Sequence, residues 1–545
     1  MTRRGSLRSA VVLLGLIGLI FLSLPSHGAN CASPTGAEGT ILYASDHNVL
    51  QYCDGASWMA LGAFVASSGG GGSSEPDTTT GLIAHWTLDE TSGSNIDDAA
   101  GTNDGTWDDN DNDDVAEETE TGVIGGALTF DGSDDYIDMG DVLDMGTADA
   151  TMAAWINTAD CGGPETGIVS KRSDAGGADG YDIRCNGGSI KLTLGAASGS
   201  TYQFNGTVNI ENGEWRHVAG TWDRDGDMTI YVDGVVDSSL DISVENGYDV
   251  QTNVELVIGA LTGGGEKFFA GLIDDVRIYD RALSDDDIEA LYLDGLENVV
   301  PDDPVAHWKL DETSGNTIDD AVGSNDGAWN DNDNDDVTEE TTAGVIDNAL
   351  AFDGTDDDVD IPDAAALDPG FPITLAAWVK PNAVGVKTNE VINKKCDSGN
   401  NGYRLRVGNA GAGTDEIAFS WGDGAATYWE YTDPDPILAG TWQHIAVTYD
   451  GTVVKMYYNG SSLPLESSGA HTEAIADNSS DLSIAGYQCS SLIYQFPGEI
   501  DDARIYDRAL SPLELAALYA EGEGFFGGGA TDGPCASPAA CTVTD

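Results

Sequence analysis

An all-β chain made of two tandem antiparallel sandwiches, each closed by a short helix, is predicted by three observations. The first is a long internal repeat. GLIAHWTLDETSGSNIDDAAGTNDGTWDDNDNDDV begins at Gly81 and PVAHWKLDETSGNTIDDAVGSNDGAWNDNDNDDV at Pro304. His85 and His307 are 222 positions apart (307 − 85), as are Asp131 and Asp353. By GLIDDVRIYDRALS and GEIDDARIYDRALS the offset is 227 (Arg277 to Arg504), so five residues are inserted between (227 − 222). Solenoid and propeller units run roughly 20–50 residues, so this period marks a whole domain with its own core. The second observation is a succession of short apolar or alternating runs ending in Asp-Gly or Asn-Gly. The third is one helix-cap signature at the end of each copy.

The N-terminus reads as an export signal. Arg3, Arg4 and Arg8 precede the apolar run Val11–Leu24, which is short for a membrane span, and small residues near Ala29 offer a cleavage site. Residues 1–29 are therefore assigned to a leader, and the mature chain to the outside of the cell or its surface. Residues 30–66 form a small cysteine-bounded module, with strands at Ile41–Tyr43 and Val49–Tyr52 around Ser45–Asn48. Residues 67–80, containing GGGGSSEP, are a flexible linker. The copies occupy 81–296 and 304–522, joined by 297–303, and 523–545 is a Gly-rich tail with cysteines.

Within the copies, Thr151–Ile156 and Thr374–Val379 read as buried strands. Met228–Val232 alternates and meets Asp233-Gly234. Met456–Tyr458 meets Asn459-Gly460. Both dipeptides supply the two positive-φ positions of a tight hairpin. Ser284 caps a helix with Asp287 at the capping-box position. Ser511 caps another with Pro512 first and Glu514 third. Many short strands and one terminal helix make a two-sheet sandwich.

With 22 Lys and Arg against 94 Asp and Glu, the net charge is −72. Nucleic acid is excluded as a partner, because its binders need a basic face. The acidity reads as solubility, as divalent-cation binding, or as both. Eight cysteines in an exported chain without a CxxC pair point to disulfides. Sequence leaves their connectivity open. Proximity pairs Cys31 with Cys53, Cys161 with Cys185 and Cys535 with Cys541, leaving Cys396 with Cys489.

HWTLDETSG, NDGTW, ALTFDGSDDYI, AAWI, WRHVAGTWD and IDDVRIYDRALS resemble, in that order and twice over, the signature blocks of laminin G-like jelly rolls of the concanavalin A-like lectin/glucanase superfamily. The resemblance implies a jelly roll. It does not imply one function, since the superfamily includes glycan binders, adhesion modules and glycosidases. It also implies a structural calcium between the FDG turn and the terminal IDD strand. The matching residues are Asp131 and Asp275 in copy one, and Asp353 and Asp502 in copy two. Period-two alternation allows only one Asp of each DD pair to face such an ion.

The glucanase branch carries E-x-D-x-x-E, with two carboxyl groups about 5–5.5 Å apart in a retaining mechanism. The nearest string, Glu499-Ile500-Asp501-Asp502-Ala503-Arg504, ends in Arg, and copy one has Leu272 in place of Glu499. Neither Gly-x-Ser-x-Gly nor His-Glu-x-x-His occurs. His217 and His444 sit in buried-type strands and read as structural histidines with a satisfied hydrogen bond.

A second acidic cluster recurs. Asp109, Asp111 and Asp113, and again Asp331, Asp333 and Asp335, have the D-x-D-x-D spacing of calcium loops. Asp114 stands where such a loop needs Gly, and copy two has Thr342 at the twelfth place, so this is no EF-hand. The clusters read either as calcium loops or as solvated acidic loops.

Sugar sites need exposed aromatics and a few orienting polar groups. Trp429 and Tyr431 share a strand face, and at the 227 offset they align with Tyr202 and Phe204. Arg404 and Arg406 face away from Tyr403 and Leu405, as Asp182 and Arg184 face away from Tyr181 and Ile183. These polar faces are the better ligand candidates. A solvated face explains them equally, as core packing explains the aromatics. The reading is a secreted, non-catalytic protein that binds extracellular glycan or a protein surface, with structural calcium. The alternatives are a self-associating structural or adhesive protein and a glycoside hydrolase accessory or divergent hydrolase.

Overall fold

A computed structural model of the chain describes residues 76–524, apart from 110–113, 162–164, 173–178, 196–200, 246, 262–266, 332–335, 384–388, 396–399, 410–413, 434–435, 467–469 and 487–494, together with the backbone of strands within 30–63. The export leader, the tail from 525 on, Asp111, Asp113, Asp333, Asp335, Cys396, Cys489, Cys535 and Cys541 lie outside the described residues, as do the side chains of Cys31 and Cys53. The chain divides into units 1–75 and 76–545. In the first, Ile41–Ala44 pairs with Val49–Cys53 as expected, and Trp58–Ala63 adds a third strand. Among the described residues no helix is long and apolar enough to cross a membrane.

The second unit contains the two sandwiches, all antiparallel. In repeat one the helix-side sheet runs Val235–Asp241, Asp227–Val232, Trp215–Trp222, Ala150–Asn157, Ala270–Tyr279, Gly126–Asp131, Thr119–Thr121, with Leu82–Trp86 on Ala270–Tyr279. The far sheet runs Thr201–Asn205, Ser189–Gly195, Gly180–Asn186, Thr166–Arg172, Val257–Ile258, Tyr136–Asp138, Gly105–Asp108, Asn95–Ile96. Repeat two repeats this order. Each sandwich has its own core, around Trp86, Phe130, Ile156 and Trp222 in one and Trp308, Phe352, Trp421 and Tyr449 in the other.

The predicted local chemistry is present. Asp233 and Gly234 have φ of 52° and 77°, and Asn459 and Gly460 have 48° and 74°. Helix α1 (Asp285–Glu297) and helix α2 (Pro512–Gly522) both start with a complete capping box, from Ser284 and Ser511. Each lies across the outer face of its helix-side sheet. Glycine permits that approach, since a Cβ at Gly295 would meet Trp155 Cζ2 at 2.3 Å and one at Gly522 would meet Trp378 Cζ2 at 2.4 Å.

Two expected linkers are structured in part. The end of the first is strapped onto repeat one: Tyr279 Oη donates to Thr78 O at 2.9 Å and Arg281 Nε to Thr80 O at 2.8 Å. The joint between the copies is packed. Val123, Trp155 and Leu296 of repeat one form one apolar cluster with Ala517 and Ala520 of α2, flanked by Val299, Val300 and Leu513. Lys455 also reaches Glu214 across the joint at 3.3 Å.

Candidate functional site

Each far sheet turns one face to the core and the other outward. In repeat two, Asn393, Arg404, Ser420 and Trp429 lie in one row across four strands, and Arg406, Ala418 and Tyr431 in another. Their neighbours Tyr403, Leu405, Phe419 and Trp421 fill the core. The outward face is therefore polar with an aromatic edge. Trp429 and Tyr431 are partly exposed and nearly parallel, with centroids 6.0 Å apart and planes at 8°. The Arg404 and Arg406 guanidinium carbons stand 4.4 and 4.0 Å from the Trp429 ring centre, within cation–π range. Arg404 is fixed by Ser420 Oγ at 2.9 Å and Glu390 at 3.3 Å. Arg406 Nε is buried without a hydrogen-bond partner, and burial pulls this guanidinium below its ordinary pKa.

The equivalence of Trp429 and Tyr431 with Tyr202 and Phe204 is corrected by one residue. Asp182 and Thr193 occupy the Arg404 and Ser420 positions, and Gln203 pairs with Thr193 as Trp429 pairs with Ser420. The true offset is 226 (429 − 203). Because strand side chains alternate, this slip reverses the face. Tyr202 and Phe204 pack against the core, and repeat one carries Gln203 and Asn205 where repeat two has its aromatics. Glu430, in the position of Phe204, is satisfied by His471 Nε2 at 2.6 Å.

Asp182 and Arg184 do share the outward face of repeat one, with Arg184 Nε donating to Asp182 Oδ1 at 2.8 Å. The sequence reading missed their companions Glu165, Arg172, Lys191 and Lys267. Lys191, set between Ile190 and Leu192, carried the alternation signal that places it there. The Cys161–Cys185 disulfide is present, with both cysteines in the core.

The calcium pairing is also corrected. Asp131 lies opposite Ala270, and Asp275 is five residues further along that strand. At about 3.3 Å per residue the two are roughly 16 Å apart. Asp353, opposite Pro497, is separated from Asp502 in the same way. A β-bulge at the IDD strand gives both aspartates of each pair a structural task. Asp274 Oδ2 accepts from the amides of Val123 and Ile124, while Asp275 takes His85 Nε2 at 2.6 Å and Arg277 Nε at 2.8 Å. Asp501 and Asp502 do the same with Val345, Ile346, His307 and Arg504.

Carboxylates gather instead inside the FDG turns. Ligand oxygens of Asp131, Asp134 and Asp135, and of Asp353, Asp356 and Asp357, lie within 4.8 Å of one another. Desolvation, then the neighbouring Asp131 charge, pushes Asp135 up to about 7. Desolvation and the Asp353 and Asp331 charges push Asp357 up to about 6. Asp331, first of the second acidic run, thus stands near the turn. It also accepts from Trp329 Nε1 at 3.2 Å, as Asp109 does from Trp107 at 2.9 Å.

His217 and His444 are buried, as expected, but Nδ1 of each has no hydrogen-bond partner. The rings pack against Trp155 and Trp378. Burial drags their pKa values to about 3 and about 4, while burial lifts Asp274 and Asp501 to about 8. A raised folded-state carboxyl contributes stability that is lost as pH climbs through its folded pKa. A depressed histidine contributes stability that is lost as pH falls below its unfolded value of about 6.5. The melting temperature is therefore expected to rise as pH falls from 8.5 to 6.5, each aspartate contributing about 1.4 kcal/mol per pH unit once below its folded pKa. Below 6.5 the histidines oppose the aspartates and the curve levels. Calorimetry in chelator checks this, and a flat curve above pH 6.5 would mean that the two aspartates stay ionised.

A family model described as the concanavalin A-like lectin/glucanases superfamily matches residues 131–289 and 353–516. Among solved structures, domain 4 of AbnA, a GH43 extracellular arabinanase from Geobacillus stearothermophilus, in complex with arabinotriose, is 24% identical over 39% of this chain and 98% of its own, with a TM-score of 0.30. The binding domain of Paraclostridial Mosquitocidal Protein 1 is 14% identical over 72% and 93%, at 0.36. Domains LG4-5 of the mouse laminin alpha1 chain are 10% identical over 82% and 96%, at 0.22. With TM-scores this low, none of these likenesses bears on what this chain binds.

Proposed function

We propose that this chain, which belongs to the concanavalin A-like lectin/glucanase superfamily, is a secreted, non-catalytic protein that binds extracellular glycan on the far sheet of repeat two. The parallel Trp429 and Tyr431 rings carry this reading. They form a partly exposed stacking surface on an otherwise polar sheet, held in place by two arginines. Sugar rings stack their C–H faces on such a surface, while Arg406 and its neighbours offer orienting donors. The carboxylates of the Glu499–Arg504 string are occupied structurally: Glu499 pairs with Lys380 at 3.1 Å, Asp501 caps two amides, and Asp502 neutralises Arg504. That supports binding over hydrolysis. Retention of the wild-type chain in polysaccharide affinity gels is the test. Trp429→Ala is expected to weaken retention about tenfold or more, since losing the burial of a large apolar side chain costs about 1.5–3 kcal/mol. Release of reducing ends, or self-association without any polysaccharide retention, would favour the hydrolase or the adhesive reading instead.

Calcium belongs to the same proposal, at the FDG turns. Three carboxylates within 4.8 Å suit a hard cation with oxygen ligands. Such a site holds Asp131, Asp134 and Asp135 in one repeat, and Asp353, Asp356 and Asp357 in the other. An ion that binds only the folded chain stabilises by RT ln(1 + [L]/Kd), about 2.7 kcal/mol at a hundredfold excess over Kd. Chelation is expected to lower the melting temperature and millimolar calcium to restore it. Asp135→Asn with Asp357→Asn removes most of that response. An unchanged melting curve on chelation contradicts the site.

A further inference from the structure

The chain's few cations are not spread evenly. Of the 22 lysines and arginines, four meet on the outward face of repeat one's far sheet. Lys191 Nζ is 2.9 Å from Glu165 Oε1, Lys267 Nζ 3.2 Å from Glu165 Oε2, and Arg184 NH1 3.4 Å from the same oxygen. Arg172 and Arg184 also flank Asp182. Among the described residues, these four cations gather around the two carboxylates of Glu165 and Asp182. Asp182 and Arg184 are buried and form the floor, while Glu165 and Lys267, 29% and 34% exposed, form the rim. Ser170 and Thr193 lie in one row with Asp182, and both hydroxyls are buried without a hydrogen-bond partner. Repeat two lacks this arrangement, having Ala418 opposite Arg406 where repeat one has Lys191 opposite Arg184.

We infer that this face of repeat one is a second binding site, for a saccharide bearing an acidic group, and that Glu165 occupies the place of the ligand's acid. The Glu165 carboxylate is held by one guanidinium and two ammonium groups, the donor set that an incoming carboxylate or sulfate ester would need. An overall charge of −72 does not prevent this. At physiological ionic strength fields fade beyond about 8 Å, so a docked ligand senses the four local cations. Glu165 competes with the ligand and keeps the cluster compensated when it is empty. The site is independent of the Trp429 surface, so either reading can fail alone.

The test is titration of the full chain with oligogalacturonate, with dextran sulfate and with neutral dextran, in chelator and at two salt concentrations. One or both acidic polymers bind, more weakly at higher salt, and neutral dextran does not compete. The two acidic arms show whether carboxylate or sulfate is preferred. Lys191→Ala and Lys267→Ala each weaken binding about tenfold. Lys455→Ala, which loses the same charge elsewhere, does not. Glu165→Gln strengthens binding severalfold, the reverse of what a merely structural ion pair gives. Absence of binding to both acidic polymers in wild type and in Glu165→Gln overturns the inference. So does binding indifferent to Lys191→Ala and Lys267→Ala, or weakened by Glu165→Gln. If Glu165→Gln does not fold, the Lys267→Ala result decides.

Discussion

Asp502→Ala is expected to destabilise repeat two by about 3–5 kcal/mol, the cost of breaking a buried ion pair from one side. Asp502 is 6% exposed and Arg504 5%. The carboxylate takes Arg504 NH2 at 2.9 Å and the His307 ring, and these partners hold it well below the usual carboxylate range despite its burial. Without it, the carboxylate left to Arg504 among the described residues is the partly exposed Glu521, at 2.8 Å, and His307 loses its Asp502 acceptor. The backbone adds to the cost, since φ of Asp502 is 53°, a region that Asp tolerates better than Ala. A domain of this size loses about 2–4 °C per kcal/mol, so melting falls by about 10 °C. Asp502→Asn, which keeps one acceptor oxygen and the turn preference, loses less. Equal melting of wild type and Asp502→Ala would mean that the ion pair is not formed in solution.

A comparable effect is expected at the joint. Ala517 is fully buried, in a cluster with Trp155 and Leu296 of the other repeat. Ala517→Asp places a carboxylate there without a partner and costs several kcal/mol, a cost the chain escapes by parting the repeats. Each sandwich keeps its own core and capped helix, so the circular dichroism spectrum stays β-rich. Scattering then reports a longer particle, and proteolysis cuts near Asn298–Asp303. A variant that stays compact and uncut would show the contact to be adaptable.

Those two sites divide what could be read from the sequence. The repeats, hairpins, capped helices and outward polar faces follow from periods of two and 3.6 and from turn chemistry, all of which are local. Register is not local. The offset is 222 at Arg404, 227 at Ser420, 226 at Trp429 and 227 at Arg504, and one residue of error moved Tyr202 and Phe204 to the wrong face. The FDG and IDD motifs share neighbouring strands, but nothing in either motif says that they sit at opposite ends. Glu165 and Lys267 meet Lys191 only through the sheet. The joint was hidden because the alanines of α2 read as ordinary helix formers until Trp155 of the other copy is laid against them.

A packed joint also changes the arithmetic of binding. Two modules on a loose tether meet a polymer as nearly separate events, the second governed by an effective concentration that the tether sets. With Leu296, Val300 and Ala517 locked together, the spacing between the two far sheets is a property of the fold. A strand whose neutral and acidic stretches match that spacing gains avidity without the entropic loss of taming a linker. One with the wrong period gains nothing. On the proposed reading, the pair would then select for the pattern along a polysaccharide as well as for its sugars.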